Sequence, residues 1–172
     1  LSGTTREAFL KDFLALTAKS EGYLFPDTYL FFKNVTPSAV VDKLKATFEK
    51  KMDSKIFAQA SRQDLTLEEL IILASIVERE TKTEGERPIV AGILLKRLRA
   101  GWPLQVDATL QYAVASAKCA SSISSKCEWW EPVKSADKKI NSPYNTYIHR
   151  GLPPSPIANP GLSSIQAIAN PQ

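Results

Sequence analysis

The stretch Thr66-Leu-Glu-Glu-Leu-Ile-Ile-Leu-Ala-Ser-Ile-Val-Glu-Arg-Glu80 constrains this chain more than any other. Thr66 followed three residues later by Glu69 is a capping-box pattern, which marks a helix start. The apolar run behind it is too short to cross a membrane, so the helix has to be buried in a globular core. It is predicted to run from Thr66 to about Lys82. Two acids, Glu78 and Glu80, stand near its end. At about 3.6 residues per turn, Glu80 shares a face with Val77, Ile76 and Leu73, whereas Glu78 lies on a line with Ala74 and Ile71. A carboxyl held against apolar walls has its charged form destabilised and keeps its proton, as a general acid must. The competing reading is an ion pair of Glu80 with Arg87 or Arg97, or plain exposure at the helix end. Helix geometry weighs the two equally.

The remaining elements follow from caps and breakers. An opening helix is expected from about Thr5 to Lys19, with Phe9, Phe13, Leu14 and Leu16 as its apolar residues. Residues 21–32, Glu-Gly-Tyr-Leu-Phe-Pro-Asp-Thr-Tyr-Leu-Phe-Phe, read as short strands flanking a turn at Pro26-Asp27. Thr36-Pro37 opens a helix to about Met52, followed by a polar connection through Ser61–Asp64. Pro88 starts another helix that ends near Arg99, with Gly101 as its stop. Asp107 caps a short helix to about Ser116, and a last one covers about Ser163 to Ala169. The fold class is therefore α+β, predominantly helical, with short β-segments.

Residues 142–161 hold prolines, glycines and asparagines, the composition of a linker. They also carry Tyr144, Tyr147, Leu152 and Ile157, which suits an ordered loop laid over a cleft better than a free tether. Asn145 and Thr146 between two tyrosines would offer hydrogen bonds beside flat apolar faces, a surface suited to sugars. Trp129 and Trp130 could stack on a sugar or anchor the preceding loop.

Several chemistries are excluded by the residue types. The single histidine, His149, supports neither a metal site nor a serine-based triad. There is no glycine-rich phosphate loop, and no cofactor is expected. The net charge of +4 comes from scattered lysines and arginines without a nucleic-acid motif. Two cysteines, Cys119 and Cys127, bracket a Ser/Lys-rich stretch inside a loop from about Ala117 to Lys138. They read either as a disulfide outside the reducing cytoplasm or as two free thiols inside it. What remains is carboxylate chemistry centred on Glu80, with Glu78, Glu84, Asp107 or Glu21 as possible assistants; Asp107 is better explained as a helix cap than as a catalytic group, and Gln105 reads equally as a loop amide.

Ala74-Ser-Ile-Val-Glu-Arg-Glu-Thr81, Leu94-Leu-Lys-Arg-Leu98, Leu104-Gln-Val-Asp-Ala-Thr109, Tyr144-Asn-Thr-Tyr147, Gly151-Leu-Pro-Pro154 and Ile157-Ala-Asn-Pro-Gly161 occur in this order. Together with Glu21-Gly-Tyr-Leu-Phe-Pro-Asp-Thr-Tyr29 they resemble the endolytic murein transglycosylases, the MltG or YceG-like family of bacteria. The resemblance covers the chain from about Glu21 onward. It implies a bacterial inner-membrane protein with one N-terminal anchor, a LysM-like module and an extracytoplasmic catalytic domain. Residues 1–172 would then be a single, truncated catalytic domain lacking anchor and module, expected to be soluble and monomeric. Two departures stand out: Ala108 occupies a position where many members have proline, and the Cys119–Cys127 loop looks like an insertion.

The resemblance further implies that Glu80 is the catalytic acid, with Gln105, Asp107, Tyr144, Asn145, Thr146, Tyr147 and Glu78 as candidate substrate-binding or supporting residues. The implied reaction breaks the MurNAc–GlcNAc bond of nascent peptidoglycan and leaves 1,6-anhydro ends. Peptidoglycan strands are the expected partner, with penicillin-binding proteins and the elongation machinery as partners of the whole protein, and no nucleic acid. The rivals are a hydrolytic muramidase and a non-catalytic glycan-binding or scaffold domain.

Overall fold

The structure, a computed structural model, describes residues 3–119 and 128–172. Its framework is seven α-helices: α1 (Gly3–Thr17), α2 (Pro37–Lys51), α3 (Ser54–Arg62), α4 (Leu67–Glu80), α5 (Arg87–Arg99), α6 (Asp107–Cys119) and α7 (Leu162–Ala169). Single 3-10 turns cover Glu84–Glu86 and Asp137–Lys139.

Helix α4 is the hub. It packs against α3, α5, α6 and α7, while α1 and α2 pair at one side. Every residue from Leu70 to Val77 is buried, so α4 has no solvent face over these turns. The capping box forms as the sequence demands: Glu69 N–H donates to Thr66 Oγ1 at 3.2 Å, and Thr66 N–H donates to Glu69 Oε2 at 2.9 Å. Ser75 is the one hydroxyl inside this apolar helix. Its Oγ donates to Ile72 O at 2.7 Å and accepts the N–H of Ile157 at 3.0 Å, fastening the proline-rich tract to the hub.

The expected strands do not form: among the described residues there is no strand, and the fold is predominantly helical. Residues 21–32 run extended or in turns, but their backbone groups bind helices and side chains instead of a partner strand. Phe25 N–H reaches Leu44 O at 3.4 Å, and Asn159 Oδ1 accepts the N–H groups of Gly22 and Leu24 at 2.8 and 3.0 Å. Gly22 sits at φ +90°, where a Cβ would lie 2.5 Å from Pro156 Cγ, so this approach needs glycine.

Helix α3 is absent from the sequence reading, which placed a polar connection there. Asp53 caps it by accepting the N–H of Ile56 at 2.8 Å, and Ile56 and Ala60 turn inward. The other boundaries fall close to expectation, including Thr36 as the cap of α2 and proline in the first turn of α5. Helix α6 continues past Ser116 to Cys119.

Candidate functional site

Glu80 is the last residue of α4, at the point where the helix leaves the core. Its Oε1 accepts the N–H of Ala108 at 3.1 Å, from the first turn of α6. The start of α6 is aimed at this carboxyl by the segment before it. Arg97 on α5 holds that segment, donating from Nε to Pro103 O at 2.9 Å and from a terminal nitrogen to Gln105 Oε1 at 2.5 Å. Gln105 lies in the left-handed region at φ 56°, and its N–H donates to Thr146 O at 3.0 Å. Such a backbone is uncommon for a residue with a Cβ and marks a turn fixed from outside.

Glu80 is exposed as a residue, because one side of the helix end meets solvent. Its carboxyl is nevertheless crowded by protein, and this loss of solvation raises its pKa above the ordinary carboxylate value. The Ala108 N–H works the other way by stabilising the charged form. Asp107 raises the pKa again by like-charge repulsion, and Arg79 lowers it. Desolvation dominates, so the upward direction stands. Glu80 forms no ion pair with Arg87 or Arg97 among the described residues: Arg87 faces Glu78 and Glu84, and Arg97 serves the 103–105 turn. The ion-pair reading is thereby overturned, while exposure at the helix end is partly correct.

Asp107 and Tyr147 complete the cluster. The Tyr147 hydroxyl donates to Asp107 Oδ1, and Lys138 Nζ lies 4.5 Å from the Tyr147 ring centre. Tyr147 is pushed up to about 12, by burial first and then by Asp107 and Glu80. That effect places the Tyr147 hydroxyl within the field of both acids.

The other candidate residues sit elsewhere. Asn145 and Thr146 are fully buried, so their side chains hold the loop rather than line an open cleft. Asn145 Nδ2 donates to Lys138 O at 3.1 Å and Ile140 O at 2.9 Å, and its Oδ1 accepts the Tyr147 N–H at 3.1 Å. Thr146 Oγ1 accepts the N–H of Val106 at 3.0 Å and lies 2.8 Å from Thr109 Oγ1. Together they brace the 104–109 segment that faces Glu80. Tyr144 points away, its hydroxyl 2.5 Å from Ser155 Oγ and its ring 4.9 Å from that of Tyr112.

Glu78 serves α7. Its Oε2 accepts the Gly161 N–H at 3.0 Å and the Ser164 hydroxyl at 2.7 Å, and its Oε1 lies 3.7 Å from Arg87. Cys119 is buried at the end of α6 and is not a free thiol, whereas Cys127 lies outside the described residues.

Arg97 and Arg79 are the residues whose part sequence reasoning missed. The guanidinium of Arg79 lies 3.7 Å from the ring centre of Trp130, which ties the segment after the cysteine loop to the helix carrying Glu80. Arg97 stood only as a partner for Glu80; its place in Leu94-Leu-Lys-Arg-Leu98, one turn before Gly101, was the available signal. Cavities of about 540 and about 520 Å³ lie beside Glu21 and beside Glu78, and neither is lined by Glu80. A third, of about 30 Å³ between α6 and residues 128–137, is of water size.

The helical scaffold thus brings a crowded carboxyl with a raised pKa together with a second acid and a tyrosine. The chain belongs to the YceG-like family, whose model matches residues 3–172. It is 35% identical over 150 residues to an endolytic murein transglycosylase of Streptococcus pneumoniae serotype 2 strain D39, covering 87% of this chain and 26% of that protein. It is also 35% identical over 154 residues to the endolytic murein transglycosylase of Bacillus subtilis strain 168, covering 88% and 39%. The chain thus spans well under half the length of these curated relatives. The crystal structure of a YceG-like protein from Listeria monocytogenes superposes with a TM-score of 0.75 at 26% identity, over 96% of this chain and 54% of that one.

Proposed function

We propose that this chain carries the catalytic centre of an endolytic peptidoglycan lytic transglycosylase, with Glu80 as both acid and base. The observation that carries the reading is Glu80 itself: a carboxyl at the end of a buried helix, its pKa raised by lost solvation and by Asp107. The names of the related proteins support murein as the substrate.

Protonated Glu80 donates to the glycosidic oxygen as the MurNAc–GlcNAc bond breaks. The cationic character left at the muramyl C1 is met by that sugar's own C6 hydroxyl, which bonds to C1 and releases its proton to the Glu80 carboxylate. The acid is regenerated, no water enters, and the new end is a 1,6-anhydro ring. One carboxyl suffices because the nucleophile belongs to the substrate. The raised pKa supplies the proton for the first half, and the Ala108 N–H at 3.1 Å stabilises the carboxylate for the second.

Asp107 favours a second reading. A carboxylate near the acid could activate water, giving a hydrolytic muramidase with reducing ends. Purified peptidoglycan digested with the chain separates the two by mass, because the anhydro product is one water lighter. New anhydro ends support the lytic reading, reducing ends the muramidase, and no new ends a glycan-binding domain.

In the whole protein this catalytic part would follow an N-terminal inner-membrane anchor and a LysM-like module, act on the extracytoplasmic face on nascent strands, and work beside penicillin-binding proteins of the elongation machinery. No helix among the described residues is long and apolar enough to cross a membrane.

A further inference from the structure

A cavity of about 540 Å³ lies beside the start of α4, with Lys19, Glu21, Tyr23, Glu68, Tyr112 and Tyr144 in its walls. Its walls are fixed from several directions. Glu21 precedes Gly22, whose N–H is held at 2.8 Å by Asn159 and where a Cβ would lie 2.5 Å from Pro156 Cγ. Tyr144 is tied through its hydroxyl to Ser155 at 2.5 Å, and its ring meets that of Tyr112 at 4.9 Å. The cavity is therefore built before any ligand arrives.

Its charges are unanswered. Among the described residues no ion pair includes Glu21, Glu68 or Lys19. The Glu21 carboxyl has one long hydrogen bond, from Asn159 Nδ2 at 3.4 Å. Each acid faces a tyrosine. Tyr112 is pushed up to about 12 by burial and then by the charge of Glu21, and Tyr23 is raised by burial and then by Glu68. Two carboxylates and three tyrosine side chains line a pocket that attracts an ammonium group. Lys19, on the same wall, is available for a carboxylate.

We propose that this cavity holds the amine-bearing stem peptide of a muramyl residue, with its ammonium set against Glu21, Glu68 and the tyrosine rings. The proposal rests on the murein reading above.

The test is calorimetric titration of the chain with a lysine-containing muramyl tripeptide, beside the same compound with its side-chain amine acetylated. Saturable binding that weakens about tenfold on acetylation, and likewise in Glu21→Gln, is expected. Equal binding of the two compounds, or none at millimolar ligand, overturns the proposal. Cleavage of peptide-free and peptide-bearing glycan by the unaltered chain keeps the two readings apart. If peptide-free strands are cut but the tripeptide does not bind, this inference falls and the murein reading stands. If the tripeptide binds with amine dependence but no strand is cut, the catalytic reading falls.

Discussion

Asn145→Ala probes whether the tyrosine-flanked loop acts by holding structure or by touching substrate. Asn145 is completely buried and makes three hydrogen bonds: to Lys138 O at 3.1 Å, to Ile140 O at 2.9 Å, and from Tyr147 N–H at 3.1 Å. A buried hydrogen bond contributes about 1 kcal/mol net. Alanine removes all three and leaves the Lys138 carbonyl and the Tyr147 N–H without partners, while Ile140 O keeps the Ser142 N–H at 3.1 Å, so the expected loss is about 3 kcal/mol. For a chain of 172 residues that corresponds to a fall in Tm of about 6–12 °C. Thermal unfolding followed by circular dichroism reads it directly. Asn145→Asp is the internal control, because it keeps the acceptor for Tyr147 but turns a second acceptor toward two carbonyls. At neutral pH it should be at least as damaging as alanine, with partial recovery when the new carboxyl is protonated. A melting point for Asn145→Ala within about 2 °C of the parent, with glycan binding lost, would refute the bracing role and make Asn145 a substrate ligand.

Glu78→Ala removes the acceptor for the Gly161 N–H and the Ser164 hydroxyl and leaves Arg87, whose Nε is already buried without a partner, with one carboxylate fewer. A loss of about 2 kcal/mol is expected by chemical denaturation, discounted because the side chain is partly open to solvent. Asp107→Asn removes a like charge that raises the Glu80 pKa. The protonated acid is the active form and is lost as pH rises through its pKa, so the alkaline limb of the pH–rate profile should move to lower pH. Ala108→Pro has the opposite sign: it deletes the N–H that stabilises the Glu80 carboxylate, in a first helical turn that tolerates proline, and should move the same limb to higher pH. A shift of both limbs in one direction would contradict the electrostatic account.

The helical framework was legible where local chemistry decides. Thr36-Pro37, Thr66 with Glu69, and Pro88 act through neighbours a few residues away, and each marks its helix correctly. The strands failed for a nonlocal reason. Residues 21–32 have strand-like composition, but no partner strand lies beside them, and Tyr23 and Phe25 instead pack singly on the core. Helix α3 is short and its polar residues outweigh Ile56 and Ala60, so the Asp53 cap was its only clear mark. Helix faces alone give weak ground for choosing Glu80, since α4 is buried all round from Leu70 to Val77 and has no polar face for contrast there. What separates the two acids is tertiary. Glu78 is spent on α7 and Glu80 meets α6, a division that spacing along one helix cannot reveal. That Asn145 and Thr146 are buried in the loop is not legible, because buried and exposed polar side chains read alike in sequence.

The central claim is that Glu80 is the working acid and that cleavage, not the fold, depends on its carboxyl. A carboxyl whose folded pKa is raised contributes stability at low pH that is lost as pH rises through that value. Glu80→Gln should therefore melt at neutral pH no lower than the parent. The decisive measurement is mass spectrometry of peptidoglycan digested by parent and Glu80→Gln under the same conditions. The account expects 1,6-anhydro ends from the parent and none from a fully folded Glu80→Gln; anhydro ends released by the variant at the parent's rate would contradict it.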